Sequence, residues 1–86
     1  MPVVSSFFGI VIRMFHADHV PPHFHAEYAG WRAAVDLQTG RILRGRLPGR
    51  CGQLVEEWRA HHVAELRRAW QAAQAHKLVP RIKPLS

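Results

Sequence analysis

The chain is short, about half apolar and strongly basic: it has 86 residues, 48% of them hydrophobic, and a formal net charge of +6 at pH 7. This length is enough for one small domain, residues 1–86, with one thin core. No apolar run approaches the ~18 residues that cross a bilayer, the first residues lack the features of a secretory signal, and the single cysteine, Cys51, excludes an internal disulfide. We therefore expect a cytoplasmic protein with no membrane partner, and the excess of arginine favours an anionic partner.

The N-terminal half is predicted to form a three- to four-stranded antiparallel sheet. Runs of β-branched and aromatic residues indicate strands, and Ala29-Gly30 is typical of a two-residue hairpin turn. Pro21-Pro22 cannot donate ladder hydrogen bonds, so residues 16–22 are predicted to be a loop or a sheet edge. The predicted strands, in chain order, are 7–15, 23–29, 31–37 and 41–47.

The C-terminal half is predicted to be helical, because apolar residues recur there at spacings of three and four. One unbroken helix over this segment would be ~40 Å long, too long for so small a domain, so we expect two helices, 49–61 and 62–76. Strands followed by helices favour an α+β fold with both helices packed on one sheet face. Residues 78–86 are predicted to be extended and to anchor Ile82 and Leu85 on the core.

Three histidines within seven residues, His19, His23 and His25, are the densest chemical feature of the chain. If residues 23–27 are extended, the side chains of His23, His25 and Glu27 project to one side. Together with His19, they are candidate ligands of a divalent transition metal such as zinc. The same imidazoles also suit general acid–base catalysis or phosphate binding. A fourth reading is that they only satisfy hydrogen bonds around a proline turn.

Arginines crowd the predicted fourth strand and the turn that follows it. Arg44, Arg46 and Arg50 are candidate nucleic-acid-binding residues, because such a cluster can follow a phosphate backbone. Charged residues also protect exposed sheet edges against aggregation, so a purely structural role remains open.

Several segments resemble one family of small bacterial and archaeal proteins, the domain of unknown function 4160. They are Phe7–Ile12, the His19–His25 motif, Val35–Gly40 and Glu57-Trp58, and the similarity spans nearly the whole chain. The resemblance implies that His19, His23 and His25 are the motif histidines. Family members look like stand-alone cytoplasmic proteins, often encoded beside a second small protein in an arrangement similar to toxin–antitoxin pairs. The resemblance therefore implies a small cognate protein partner.

These observations lead to two hypotheses of different class. The first is a component of a toxin–antitoxin-like module that binds or cleaves RNA or DNA. Its enzymatic form is ribonuclease-like, with His23 and His25 as the acid–base pair and His19 as an orienting or substrate-binding group. The alternative is a non-catalytic metal-binding or protein-interaction module that uses the same histidines. A core this small also favours a homodimer.

Overall fold

The structure, a computed structural model, describes residues 2–86; Met1, the first residue of the predicted domain, lies outside the described residues. Neighbouring strands in the sheet follow chain order and are antiparallel. The elements are β1 (Val3–Phe7), β2 (Ile10–Arg13), β3 (His23–Tyr28), β4 (Trp31–Asp36), β5 (Ile42–Gly45), α1 (Gly49–His61) and α2 (Val63–Gln74). An antiparallel sheet followed by two C-terminal helices agrees with the predicted α+β class. The prediction of three to four strands is wrong, because the sheet has five.

The additional strand arises within the predicted first strand, 7–15. Phe8 and Gly9 have φ values of 50° and 80°, the left-handed pair that a type I′ hairpin turn requires. The chain therefore reverses between Phe7 and Ile10, which pair directly. Gly9 within a β-branched run was the available signal, since glycine adopts positive φ without steric cost. The other predicted elements differ from the observed ones by at most two residues at each end.

The hydrophobic core is formed by one face of the sheet together with buried residues of both helices. Phe24 and Ala26 of β3 are fully buried on that face, and the indole of Trp58 from α1 packs edge-on against Phe24, with ring centroids 5.7 Å apart. The C-terminal tail closes the core, because the backbone N–H of Ile82 donates to the carbonyl of Val4 at 2.8 Å and the Ile82 side chain is buried. By strand alternation, His23, His25 and Glu27 occupy the opposite face of β3.

The helical region bends at His62, which separates α1 from α2. The His62 Nδ1–H donates to Glu65 Oε1 at 2.6 Å. This hydrogen bond links the junction residue to the first turn of α2. Within residues 2–86, neither helix is long and apolar enough to cross a membrane.

A long connection, residues 14–22, joins β2 to β3 and is fastened to the end of α2. The Ala17 backbone N–H donates to the carbonyl of Ala73 at 3.2 Å, and the Gln74 side-chain amide donates to the carbonyl of Asp18 at the same distance. These bonds hold the Asp18 side chain over the first residues of β3.

Candidate metal centre

His23 is a buried histidine whose tautomer is set by the backbone. It opens β3 directly after Pro21-Pro22, is 2% exposed, and its ring packs against the indole of Trp70 with centroids 5.4 Å apart. The Nδ1 atom lies 2.7 Å from the carbonyl oxygen of Pro21. Since a carbonyl only accepts, Nδ1 carries a proton and donates it to Pro21, which leaves Nε2 as the ring atom that can bind a metal. Metal-binding histidines are commonly oriented by this kind of hydrogen bond to a backbone carbonyl.

One carboxylate oxygen of Asp18 lies close to the imidazoles of both His23 and His25. Asp18 Oδ2 is 3.0 Å from His23 Nε2 and 3.1 Å from His25 Nε2, while Oδ1 accepts the backbone N–H of His19 at 2.8 Å. Partial burial acts to raise the pKa of Asp18, but hydrogen bonds from His25 and His19 and nearby imidazole charge outweigh it. The pKa of this carboxyl therefore lies below its ordinary value, and the group is an anion at neutral pH.

The contact between His23 and Asp18 is unusual because it is close without being a hydrogen bond. His23 Nε2 is buried and has no hydrogen-bond partner, although a carboxylate oxygen is 3.0 Å away. Two electron-rich atoms this close repel each other unless a cation or a proton lies between them. A bound cation is therefore one of the two arrangements that would make this contact favourable.

The two donor distances from Asp18 suit a first-row transition metal. Asp18, His23 and His25 each offer one ligand atom, and these atoms all lie within 4.8 Å of one another. With metal–ligand bonds of ~2.0–2.1 Å, adjacent donors are about 2.9 Å apart in an octahedron and about 3.3 Å apart in a tetrahedron. The two distances to Asp18 Oδ2, 3.0 and 3.1 Å, fall between these values.

Of the four metal ligands predicted from sequence, the structure brings only His23 and His25 together. The His19 side chain is exposed and outside the cluster, and only its backbone contacts Asp18. Glu27 lies on the same face but forms an ion pair with Arg13, with Nε and Oε2 3.4 Å apart. Asp18 was missed by the sequence reasoning. Its signal was its position, as the first acidic residue of the chain and directly ahead of the proline-stiffened motif.

A cleft of about 270 Å³ adjoins the cluster and shares His25 with it. The cleft follows a row of paired residues across three strands, in which His25 pairs with Ala34 and Ala34 with Arg44. Its remaining lining residues are Phe15, Glu27, Arg32, Ala33 and Gly45.

The three arginines predicted to bind nucleic acid are separated in the fold. Arg44 lines the cleft beside His25, whereas Arg50 lines a different depression together with Phe8 and Tyr28. Arg46 is exposed just beyond the end of β5 and lines neither. Only Arg44 therefore adjoins the histidine cluster.

Comparison with known proteins gave one family match. The model of a family described as "Domain of unknown function (DUF4160)" matches residues 9–71, a segment that includes Asp18, His23 and His25. No curated protein and no solved structure matched the chain.

Proposed function

Because the chain belongs to the DUF4160 family, whose description assigns no activity, we propose a function from the cluster itself: the protein binds one divalent transition-metal ion through Asp18, His23 and His25. The observation that carries this proposal is the buried Nε2 of His23, which has no hydrogen-bond partner and lies 3.0 Å from a carboxylate oxygen. A metal ion between these atoms converts their repulsion into two coordination bonds.

The donor set indicates which metals fit. Two imidazoles and one carboxylate are the ligand types of open zinc and non-haem iron(II) sites, in which water or substrate completes the coordination. A metal held in this way supplies a Lewis acid. His25 also lines the neighbouring cleft, so a metal bound at the cluster would lie next to that cleft.

Metal content is the direct test. After removal of metal with a chelator, the protein is dialysed against Zn²⁺ or Co²⁺, and the bound metal per chain is measured by elemental analysis. We expect one ion per chain in the wild type and an affinity lowered at least ~100-fold in His23→Gln and Asp18→Asn, because each substitution removes a ligand. His19→Ala is the matched control from the same motif and should retain the ion.

Thermal unfolding gives a second readout that does not require an activity. At a metal concentration of ~100 times Kd, binding to the folded state adds ~2.7 kcal/mol, which raises Tm by about 10–20 °C for a domain of this size. Asp18→Asn should show no such rise. Sub-stoichiometric metal in the wild type, or equal binding by the Asp18→Asn protein, would contradict the proposal.

A second candidate is nucleic-acid binding or cleavage within a toxin–antitoxin-like module, with a small cognate protein as partner. It is favoured by the hydrogen bond from His25 to Asp18, since a carboxylate commonly orients an imidazole base, and by Arg44 across the cleft. Because His23 is buried, His25 is the imidazole of this pair that faces the cleft. Growth arrest on expression, relieved by His25→Ala but not by His19→Ala, together with RNA degradation, would support it; harmless expression would count against it.

A further inference from the structure

The cleft beside the proposed metal ligands is lined by two arginines on the side away from the proposed metal site. Arg32 and Arg44 line it on β4 and β5, whereas His25 lies on β3. Arg44 is two strands from His25, a separation of about 10 Å between backbones. His25 and Arg44 project from the same sheet face with only Ala34 between them, which leaves room for a ligand of a few ångströms.

Charge decides which ligand suits this space. The one carboxylate in the cleft, Glu27, is already paired with Arg13. Across residues 2–86, the guanidinium groups of Arg32 and Arg44 make no ion pair. A divalent ion that is balanced only by Asp18 adds further positive charge, so both sides of the cleft attract an anion.

We propose that this cleft binds the phosphoryl group of a phosphate ester, held between the metal ion and the guanidinium groups of Arg32 and Arg44. The inference rests on the proposed metal binding. A phosphoryl group offers three oxygens and up to two negative charges, so it can contact the metal and accept bidentate hydrogen bonds from arginine at once. A carboxylate has two oxygens and one charge, which compensates less of the positive charge here.

The rest of the lining accommodates the organic part of such a ligand. Phe15, Ala33 and Gly45 provide apolar surface, and the Phe15 ring lies edge-on to His25 with centroids 4.4 Å apart. A volume of about 270 Å³ is slightly below the ~300 Å³ at which ligand pockets usually begin, which suits a small ligand such as one phosphoryl group and the sugar attached to it.

The test uses Co²⁺-loaded protein and adenosine 5′-monophosphate as the probe. Binding is measured by calorimetry, and the visible absorption of the cobalt ion reports whether the phosphate enters its coordination sphere. We expect a change in the cobalt spectrum and an affinity lowered about tenfold in Arg44→Ala, with one ion per chain retained. Arg46→Ala removes the same charge just beyond the end of β5 and should leave both readouts unchanged.

Two further probes complete the experiment. Adenosine lacks the phosphate and should not change the spectrum. A short single-stranded RNA without a terminal phosphate distinguishes the source of the phosphoryl group: tighter binding than the nucleotide indicates a nucleic-acid backbone, and weaker binding indicates a small phosphate monoester.

The outcomes separate this inference from the proposed function. One bound ion with nucleotide affinity insensitive to Arg44→Ala, or with an unchanged cobalt spectrum, overturns phosphoryl binding in the cleft and leaves metal binding intact. Failure to bind metal, read from the metal content alone, overturns the proposed function and this inference with it.

Discussion

The guanidinium of Arg59 is a charged group that the fold keeps almost entirely from solvent. The residue is 8% exposed and donates to both oxygens of Glu56, at 2.8 and 2.6 Å. Its Nη1 donates to the carbonyl of Leu37 at 3.1 Å, which ties α1 to the end of β4. Burying a charge without partners destabilises a fold. The hydrogen bonds to Glu56 and Leu37 offset the loss of hydration of the Arg59 guanidinium.

Glu56 should make stability depend on pH. Hydrogen bonds from Arg59 hold the pKa of Glu56 below its ordinary value of 4.5, although partial burial opposes them. A lowered pKa means that the ion pair stabilises the fold fully above about pH 4.5 and less as pH falls through the folded-state value. We expect Glu56→Gln to lower Tm by about 5 °C at pH 7, and by progressively less below pH 4.5.

Thermal unfolding between pH 3 and pH 7 measures this effect. Glu57→Gln is the control, because Glu57 is the exposed neighbour and its carboxylate makes no ion pair within residues 2–86. A Tm difference between wild type and Glu56→Gln that stays constant over this range would show that the carboxylate charge has no part in stability.

Residue types and strand alternation together predict part of the candidate site. Histidine chemistry and strand alternation placed His23 and His25 on one face, and the structure has them there. Asp18 was missed because its role depends on how the 14–22 connection folds back, through bonds to Ala73 and Gln74. Those partners are more than fifty residues away in sequence, so no local pattern indicates them.

At the level of single elements, an irregularity in β5 determines which side chain reaches the cleft. Ala34 pairs with Arg44 and Val35 with Ile42, so Leu43 is an extra residue that forms a bulge. A bulge changes the alternation, and Ile42 and Arg44 therefore project to opposite faces although they are two residues apart. The sequence interpretation assumed a regular strand, which would have placed these two side chains together.

Gly45, the last residue of β5, should not tolerate a side chain. Its φ is 77°, and an added Cβ would collide with the backbone carbonyl of Arg32. We expect Gly45→Ala to lower the free energy of unfolding by ~1–3 kcal/mol, measured by urea denaturation. Gly52 in α1 has open space around its Cα, so Gly52→Ala should instead stabilise by ~0.5–1 kcal/mol. Equal effects of Gly45→Ala and Gly52→Ala on the free energy of unfolding would contradict the predicted collision at Gly45.

Over the whole molecule, the two ends of the chain close one core. The tail has no helix or strand, yet Ile82 is 4% exposed and bonds to β1, and the indole N–H of Trp58 donates to the carbonyl of Lys83 at 2.9 Å. An extended tail that anchors Ile82 and Leu85 on the core was predicted from the sequence. Its hydrogen-bond partners were not predictable, because they depend on how α1 is oriented over the sheet.

The tail should therefore contribute measurably to global stability. We expect Ile82→Ala to cost ~2–5 kcal/mol, since it leaves a cavity in the core. Lys83→Ala keeps the backbone carbonyl that Trp58 uses and removes only an exposed side chain, so it should change stability by less than ~0.5 kcal/mol. Tryptophan fluorescence during urea unfolding follows both variants, and unfolding midpoints similar to that of the wild type would show that the tail is dispensable.

The hydrogen bonds between the 14–22 connection and the last turn of α2 couple the position of Asp18 to that of the helix end. The backbone N–H of Ala17 and the carbonyl of Asp18 both bond to that turn, so a displacement of the helix end would move the backbone that carries the Asp18 carboxylate. Linkage between two binding events is reciprocal. If the cluster holds an ion as proposed, a molecule that displaces this helix end on binding changes the affinity for the ion, and the ion changes the affinity for that molecule by the same factor.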